Sequence, residues 1–196
     1  IQFFLEIFGF TFFIQMLGRL GDLELAASNI VLSIETLAFL PMVGFHIGNA
    51  TLVGQAIGRN QPEGGVEATT SALHITLAYM MPLAAIFIFM PEPLLSLFDT
   101  GGSNGDYREI MDLGVILMRF VALFCLFDAF NLIYSGAIKG AGDTRFIMWT
   151  IGAVCLGVMI LPVYVAVEVL GAGLYTVWTL ATVYACALGV AFMLRY

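Results

Sequence analysis

Charge is what this chain has least of: Asp, Glu, Lys and Arg make up 11% of its 196 residues, against about 25% in a soluble domain. Only seven residues are Lys or Arg, and they are scattered. No basic patch of the kind that holds nucleic acid can be built from them, so nucleic acid is not an expected partner. Cysteine is equally scarce. Cys125, Cys155 and Cys186 are odd in number and each falls in an apolar run, which excludes a disulfide framework and a metal-ligand spacing. His46 and His74 have no ligand at metal spacing. The chain contains no G-x-S-x-G elbow, no H-E-x-x-H helix and no Walker loop, so no enzymatic signature is present.

What fills the space is hydrocarbon. Hydrophobic residues make up 61% of the chain and its mean hydropathy is +0.99. A soluble fold of this size cannot hide so much apolar surface, so the solvent is lipid and the net charge of −7 sits mostly in loops. The expected fold is an all-α integral membrane protein, a bundle of six transmembrane helices in one domain spanning 1–196. Turn and charge clusters cut the spans at about 1–17, 25–57, 69–90, 110–138, 146–170 and 174–194. The first begins abruptly, without Met or a polar lead-in, and reads as a helix entered part-way in a longer polypeptide. Pro41 is expected to kink the long second segment. Residues 91–98 read as a short interfacial piece, and residues 101–106 as a flexible loop.

Orientation follows from the basic residues. Arg59, Lys139, Arg145 and Arg195 fall on one side, Arg19 and Arg108 on the other. An excess of positive charge marks the cytoplasmic side, which puts both ends of the segment on the cytoplasmic side of a cell (inner or plasma) membrane.

In such a chain an acid within a span is costly. Asp128 lies in the run Val121–Tyr134 with no neighbouring base, at an insertion cost of roughly 2.5–3.5 kcal/mol. With 1.5 Å of rise per residue, Glu6 lies roughly 18 Å from the outer end of its helix, Glu35 a similar distance from the outer end of the second, and Asp128 roughly 15 Å from the inner end of the fourth. All three fall near the midplane. Helical spacing sets Phe120, Phe124, Asp128, Asn131 and Ser135 on one face, and Gln2, Glu6, Gly9, Phe10 and Phe13 on another. Ser28, Glu35, Phe39, Met42, His46 and Asn49 share a stripe on the second helix. Polar faces must look onto protein or a water-filled cavity, and carboxylates beside aromatic rings suit a lipophilic cation. Glu6 and Asp128 are the expected ion-binding pair, with Asn131 beside them. Glu35, Phe10, Phe13, Phe124, His46 and Asn49 are candidates for the cavity wall, and Arg119 or His46 is a candidate partner for Glu35. Asp112 shares a face with Arg119, where a structural pair or snorkelling is the simpler role. The GxxxG pairs Gly44/Gly48, Gly54/Gly58 and Gly136/Gly140 suggest close helix packing.

Two further motifs read as glycine-rich tight turns on the inner side: Leu52-Val-Gly54-Gln55-Ala-Ile-Gly58, and Ser135-Gly-Ala-Ile-Lys-Gly140-Ala-Gly142-Asp143-Thr144-Arg145. In this order, and with Ala26-Ala-Ser-Asn-Ile-Val, Phe39-Leu-Pro41 and Leu117-Met-Arg-Phe120, they resemble the carboxy-terminal half of the multidrug and toxic compound extrusion (MATE) family. The resemblance covers essentially the whole chain. It implies one lobe of a two-lobe secondary transporter, with an amino-terminal lobe supplied elsewhere and a midplane site between the halves. It also matches the family's coupling-ion acids to Phe4-Leu-Glu6 and Phe127-Asp128. The function implied is antiport: Na⁺ or H⁺ entry drives export of a small organic, cationic compound, with no other cofactor. Glu35 has no assigned counterpart. The competing readings are an exporter or flippase of a lipid-linked or anionic metabolite on the same fold, and a six-helix channel or structural membrane subunit.

Overall fold

The computed structural model describes residues 2–98 and 105–196, without the side chains of 2, 3 and 105–107. The loop expected at 101–106 therefore lies mainly outside the described residues, as does the side chain of Gln2.

Every described element is helical. In chain order they are α1 (Gln2–Leu20), α2 (Asp22–Gly58), α3 (Pro62–Phe89), the short α4 (Pro91–Ser96), α5 (Gly105–Gly140), α6 (Thr144–Val169) and α7 (Leu174–Arg195). Five of these are long and apolar enough to cross a bilayer among the described residues: α2, α3, α5 from Arg108, α6 and α7. α1, with 19 residues, is about 28 Å long. The fold is thus an all-α membrane bundle, and the short piece expected at 91–98 is α4. α3 begins earlier than expected because Pro62 fits a first helical turn, where no backbone N–H is needed.

α5 is the central post, packed on α2, α3 and α7. Its Leu117, Met118, Val121, Ala122, Ala129 and Ile133 are fully buried. α1 packs against α2 and α6. Large apolar side chains such as Leu37, Phe89, Trp149 and Leu156 are exposed on the outside, where lipid is an adequate solvent for them.

The neighbouring ends of α2 and α5 show why particular residues stand where they do. α2 ends with Gln61 N–H on Ala56 O (2.9 Å) and Asn60 N–H on Ile57 O (2.9 Å), with Asn60 at φ +58°. α5 ends in the same way through Asp143 N–H on Ile138 O (3.1 Å) and Gly142 N–H on Lys139 O (2.9 Å), with Gly142 at φ +88°. Both are Schellman closures, which need a left-handed residue just past the helix. The expected tight turns are therefore corrected. Gly54, Gln55, Gly58 and Gly140 lie within helices, and only Asn60 and Gly142 do the turning.

Gly136 and Gly140 serve instead to let α2 and α5 touch. A Cβ at Gly136 would meet His46 O at 2.9 Å, and one at Gly140 would meet the Ala50 carbonyl and, at 2.9 Å, Val53 Cβ. Gly44, Gly48 and Gly58 have open space at that position, so the Gly44/Gly48 pair is not a contact point within this bundle, whereas a Cβ at Gly54 would meet Gly140 O at 3.4 Å.

α2 runs through Pro41 without interruption, although Pro41 has no N–H for the carbonyl of Leu37. α6 is less regular. It is α-helical over Thr144–Val154 and Leu161–Tyr164 and π-helical over Cys155–Ile160 and Val165–Val169. Pro162 cannot donate to the preceding turn, and the two wide turns flank it.

Asp143 organises one end of the bundle. It caps α6 by accepting from Phe146 N (3.3 Å) and pairs with Arg195 Nη2 at the end of α7 (2.6 Å). The Arg195 guanidinium, which also lies over the Phe146 ring at 5.2 Å, holds the Asp143 carboxyl below the usual carboxylate range. A depressed folded-state pKa stabilises above the unfolded-state value of 3.8, and that contribution is lost as pH falls through the folded-state value. Asp143→Asn should therefore flatten the drop in thermal midpoint between about pH 5 and pH 3. An identical pH dependence in the two proteins would mean that the pair carries no stability. At the opposite end Arg19 and Glu168 form an exposed ion pair, of a kind that contributes little.

Candidate functional site

α1, α2, α5, α6 and α7 enclose one cavity of about 580 Å³. Its wall is mostly aromatic and aliphatic: Phe10 and Phe13 from α1, Phe39 from α2, Phe124 from α5, Met159 from α6, Trp178 and Tyr184 from α7. Into it project three carboxylates, Glu6, Glu35 and Asp128, each from a different helix. The α1–α2 hairpin accounts for two of them. Glu6 and Glu35 lie 15 and 14 residues on either side of Gly21, so they sit at one level, about 21 Å from the turn.

Asp128 is the most enclosed of the three, at 7% exposure. Asn131, one turn further along α5, donates from Nδ2 to Asp128 Oδ1 at 2.9 Å. Glu35 is half-buried and Glu6 is exposed. Phe10, at 50% exposure, stands beside Glu6. The cavity is therefore open on the α1 side and closed around Asp128. Among the described residues no three His, Cys, Asp or Glu side chains gather closely enough to form a metal centre.

Side chains behind the wall hold it in place. Trp178 stands edge-on to Phe13, with ring centroids 5.6 Å apart, and donates from Nε1 to Ser28 Oγ at 3.3 Å. This fixes the indole against the cavity. His46 Nδ1 is 2.6 Å from Leu132 O. A carbonyl can only accept, so Nδ1 carries the hydrogen and Nε2 presents its lone pair. Lys139 Nζ donates to that lone pair at 3.4 Å.

Of the nine residues expected at the ion site or cavity wall, eight, Asp128, Glu6, Asn131, Glu35, Phe10, Phe13, Phe124 and His46, line this one cavity. Asn49 does not. It is buried at 1% exposure, and its Nδ2 donates to Ile133 O at 2.9 Å, which makes it a strut between α2 and α5. No ion pair within 4 Å joins Glu35 to Arg119 or His46, or Asp112 to Arg119, among the described residues. Arg119 is exposed, away from the cavity. Sequence reasoning missed Trp178, Tyr184, Thr36, Ser135 as a wall residue, and above all Lys139, which reads as one basic residue in an inner turn. The helical spacing Asp128–Ser135–Lys139 was the available signal for the last.

Comparison with known proteins gives a consistent result. The family model described as MatE matches residues 1–165. "Probable multidrug resistance protein NorM" of Pseudomonas putida is 31% identical over 188 residues, covering 93% of this chain and 39% of that protein. The protein of the same name from Brucella suis is 27% identical over 135 residues, covering 69% of this chain and 28% of its own length. Among solved structures, "Crystal structure of MATE in the bent conformation" superposes with a TM-score of 0.85 at 16% identity, over 99% of this chain and 42% of that one. "Outward-facing conformation of a multidrug resistance MATE family transporter of the MOP superfamily" gives 0.78 at 19% identity, over 97% and 41%. The chain thus spans well under half the length of the relatives it matches.

Proposed function

Because this chain belongs to the MatE family, a family of transporters and not of enzymes, we propose that it forms one lobe of a cation-coupled exporter of organic cations. The observation that carries this reading is the enclosure of Asp128, with its Asn131 amide, in an aromatic cavity shared with Glu6 and Glu35. A carboxylate held out of water binds a cation strongly, whether proton, sodium or organic ammonium, and can hold only a limited number at once. Competition among them for the same oxygens couples entry of one to release of another. Aromatic faces on Phe10, Phe13, Phe124 and Trp178 add cation–π attraction for a lipophilic substrate. The open side at Glu6 and Phe10 is where a second lobe would complete the wall, and rocking of the lobes would alternate access. Arg59, Lys139, Arg145 and Arg195 gather at one end, which we assign to the cytoplasm.

The test is transport by the native polypeptide in vesicles preloaded with ethidium, with a sodium gradient or a proton gradient imposed separately. Ethidium efflux is expected under one of the two gradients and not in its absence. Efflux indifferent to both would overturn ion coupling, and no efflux at all would favour a structural membrane subunit.

A further inference from the structure

On the outer surface of the bundle α2 and α3 enclose a groove of about 480 Å³, which shares no residue with the central cavity. Small residues make room for it. Gly44 and Gly48 come from α2, Ala68 and Ala72 from α3, and a Cβ on either glycine would meet nothing within 4 Å.

Three polar residues line the groove, and each offers an acceptor oxygen. Asn49 is 1% exposed and gives Nδ2 to Ile133 O, but its Oδ1 has no hydrogen-bond partner among the described residues. An amide oxygen left without a donor in hydrocarbon is costly, so its presence calls for one. Glu67 has no ion pair within 4 Å among the described residues. Ser71 lies one turn beyond it on α3.

The levels agree. Asn49 stands 58 − 49 = 9 residues before the end of α2, and Ser71 stands 71 − 62 = 9 residues after the start of α3. Both are therefore about 14 Å from the turn that joins the helices, whereas Glu67 is about 8 Å and Gly44 about 21 Å from it. The groove thus carries its charge at the shallow end and runs about 13 Å towards the bilayer centre, close to the roughly 15 Å of hydrocarbon in one leaflet.

We propose that this groove binds a single-chain primary ammonium amphiphile drawn from the leaflet at the α2–α3 turn. The ammonium donates to Glu67, Ser71 and Asn49 Oδ1, and the alkyl chain lies along Gly48 and Gly44. Three N–H donors on one cation match three acceptors, which a quaternary ammonium lacks the hydrogens to do. Glu63, exposed and one turn before Glu67, opposes a phosphate, so a phosphate-free amine is preferred to an aminophospholipid. The site is independent of the export reading, since neither its residues nor its ligand pass through the central cavity.

The probe is dodecylamine carrying a mid-chain diazirine, photolysed with the native polypeptide in phosphatidylcholine nanodiscs, with labelled peptides read by mass spectrometry. Label is expected in residues 44–52 and 64–75. Dodecylamine should displace it about tenfold better than dodecyltrimethylammonium, which has the same charge and chain but no N–H to donate. Glu67→Gln should lower labelling by a similar factor, and Gly48→Leu, which fills the groove, should abolish it. Label confined to other segments, equal competition by the two ammonium ions, or unchanged labelling in Glu67→Gln would overturn the site. Displacement by phosphatidylethanolamine as effective as that by dodecylamine would overturn the phosphate-free ligand. Loss of gradient-driven ethidium efflux bears on the export reading alone and leaves this labelling pattern as expected.

Discussion

Asp128→Asn is expected to reduce gradient-driven efflux to the level of protein-free vesicles while raising the thermal midpoint. The two effects have one cause. A carboxyl at bilayer depth costs roughly 2.5–3.5 kcal/mol on insertion scales, and an amide of the same shape costs less. Asn131 Nδ2, which now donates to Asp128 Oδ1 at 2.9 Å, finds a carbonyl oxygen in the same place in the variant. Nothing in the packing of α5 needs to move. What disappears is the negative charge, and with it the proposed competition between coupling ion and substrate. Thermal unfolding in detergent and ethidium efflux on the same preparations measure the two halves. Unchanged efflux would remove Asp128 from the coupling site. A lowered midpoint would mark the carboxylate as a structural strut instead.

The glycines should separate into two groups with opposite signs. Gly136→Ala and Gly140→Ala force a methyl group against the α2 backbone, where His46 O would be 2.9 Å away in the first case and Val53 Cβ equally close in the second. Overpacking of this kind costs about 1–3 kcal/mol, and neither a backbone oxygen nor a Cβ can rotate away. Gly44→Ala and Gly48→Ala meet nothing within 4 Å, and replacing a mid-helix glycine by alanine stabilises by about 0.5–1 kcal/mol. Midpoints measured for all four variants should therefore fall for the first pair and rise for the second. The reverse order would mean that α2 is held elsewhere than on α5.

Much of the site was legible because lipid makes polar side chains expensive. Asp128, Glu35 and Glu6 stood out by cost, and counting residues from the turns set their depth. Their aromatic companions followed from helical spacing. Lys139 escaped because a basic residue near a helix end has a sufficient explanation in the interface. Only its contact with His46, from another helix, shows it facing inward. Asn49 failed in the opposite way: its stripe pointed at the cavity, but its amide was needed to bind Ile133 O across the α2–α5 contact. The glycine-rich motifs misled because glycine serves both for turning and for close approach. Asn60 took the left-handed position that Gly58 had seemed to fill.

By itself the sequence determined the solvent, the helices, their approximate limits and the level of each acid, because the bilayer demands long apolar segments and charges a cost for every departure. It could not determine which way each helix turns about its axis. In water an apolar stripe marks the core. In lipid both sides of a helix are apolar, so Leu37 and Leu40 are exposed while Ala38 and Met42, of the same character, are buried. That rotation was decided only by tertiary contact, through the glycines that let α2 touch α5 and the polar groups that had to find partners. It is the rotation that gathers three acids and one lysine around a single cavity.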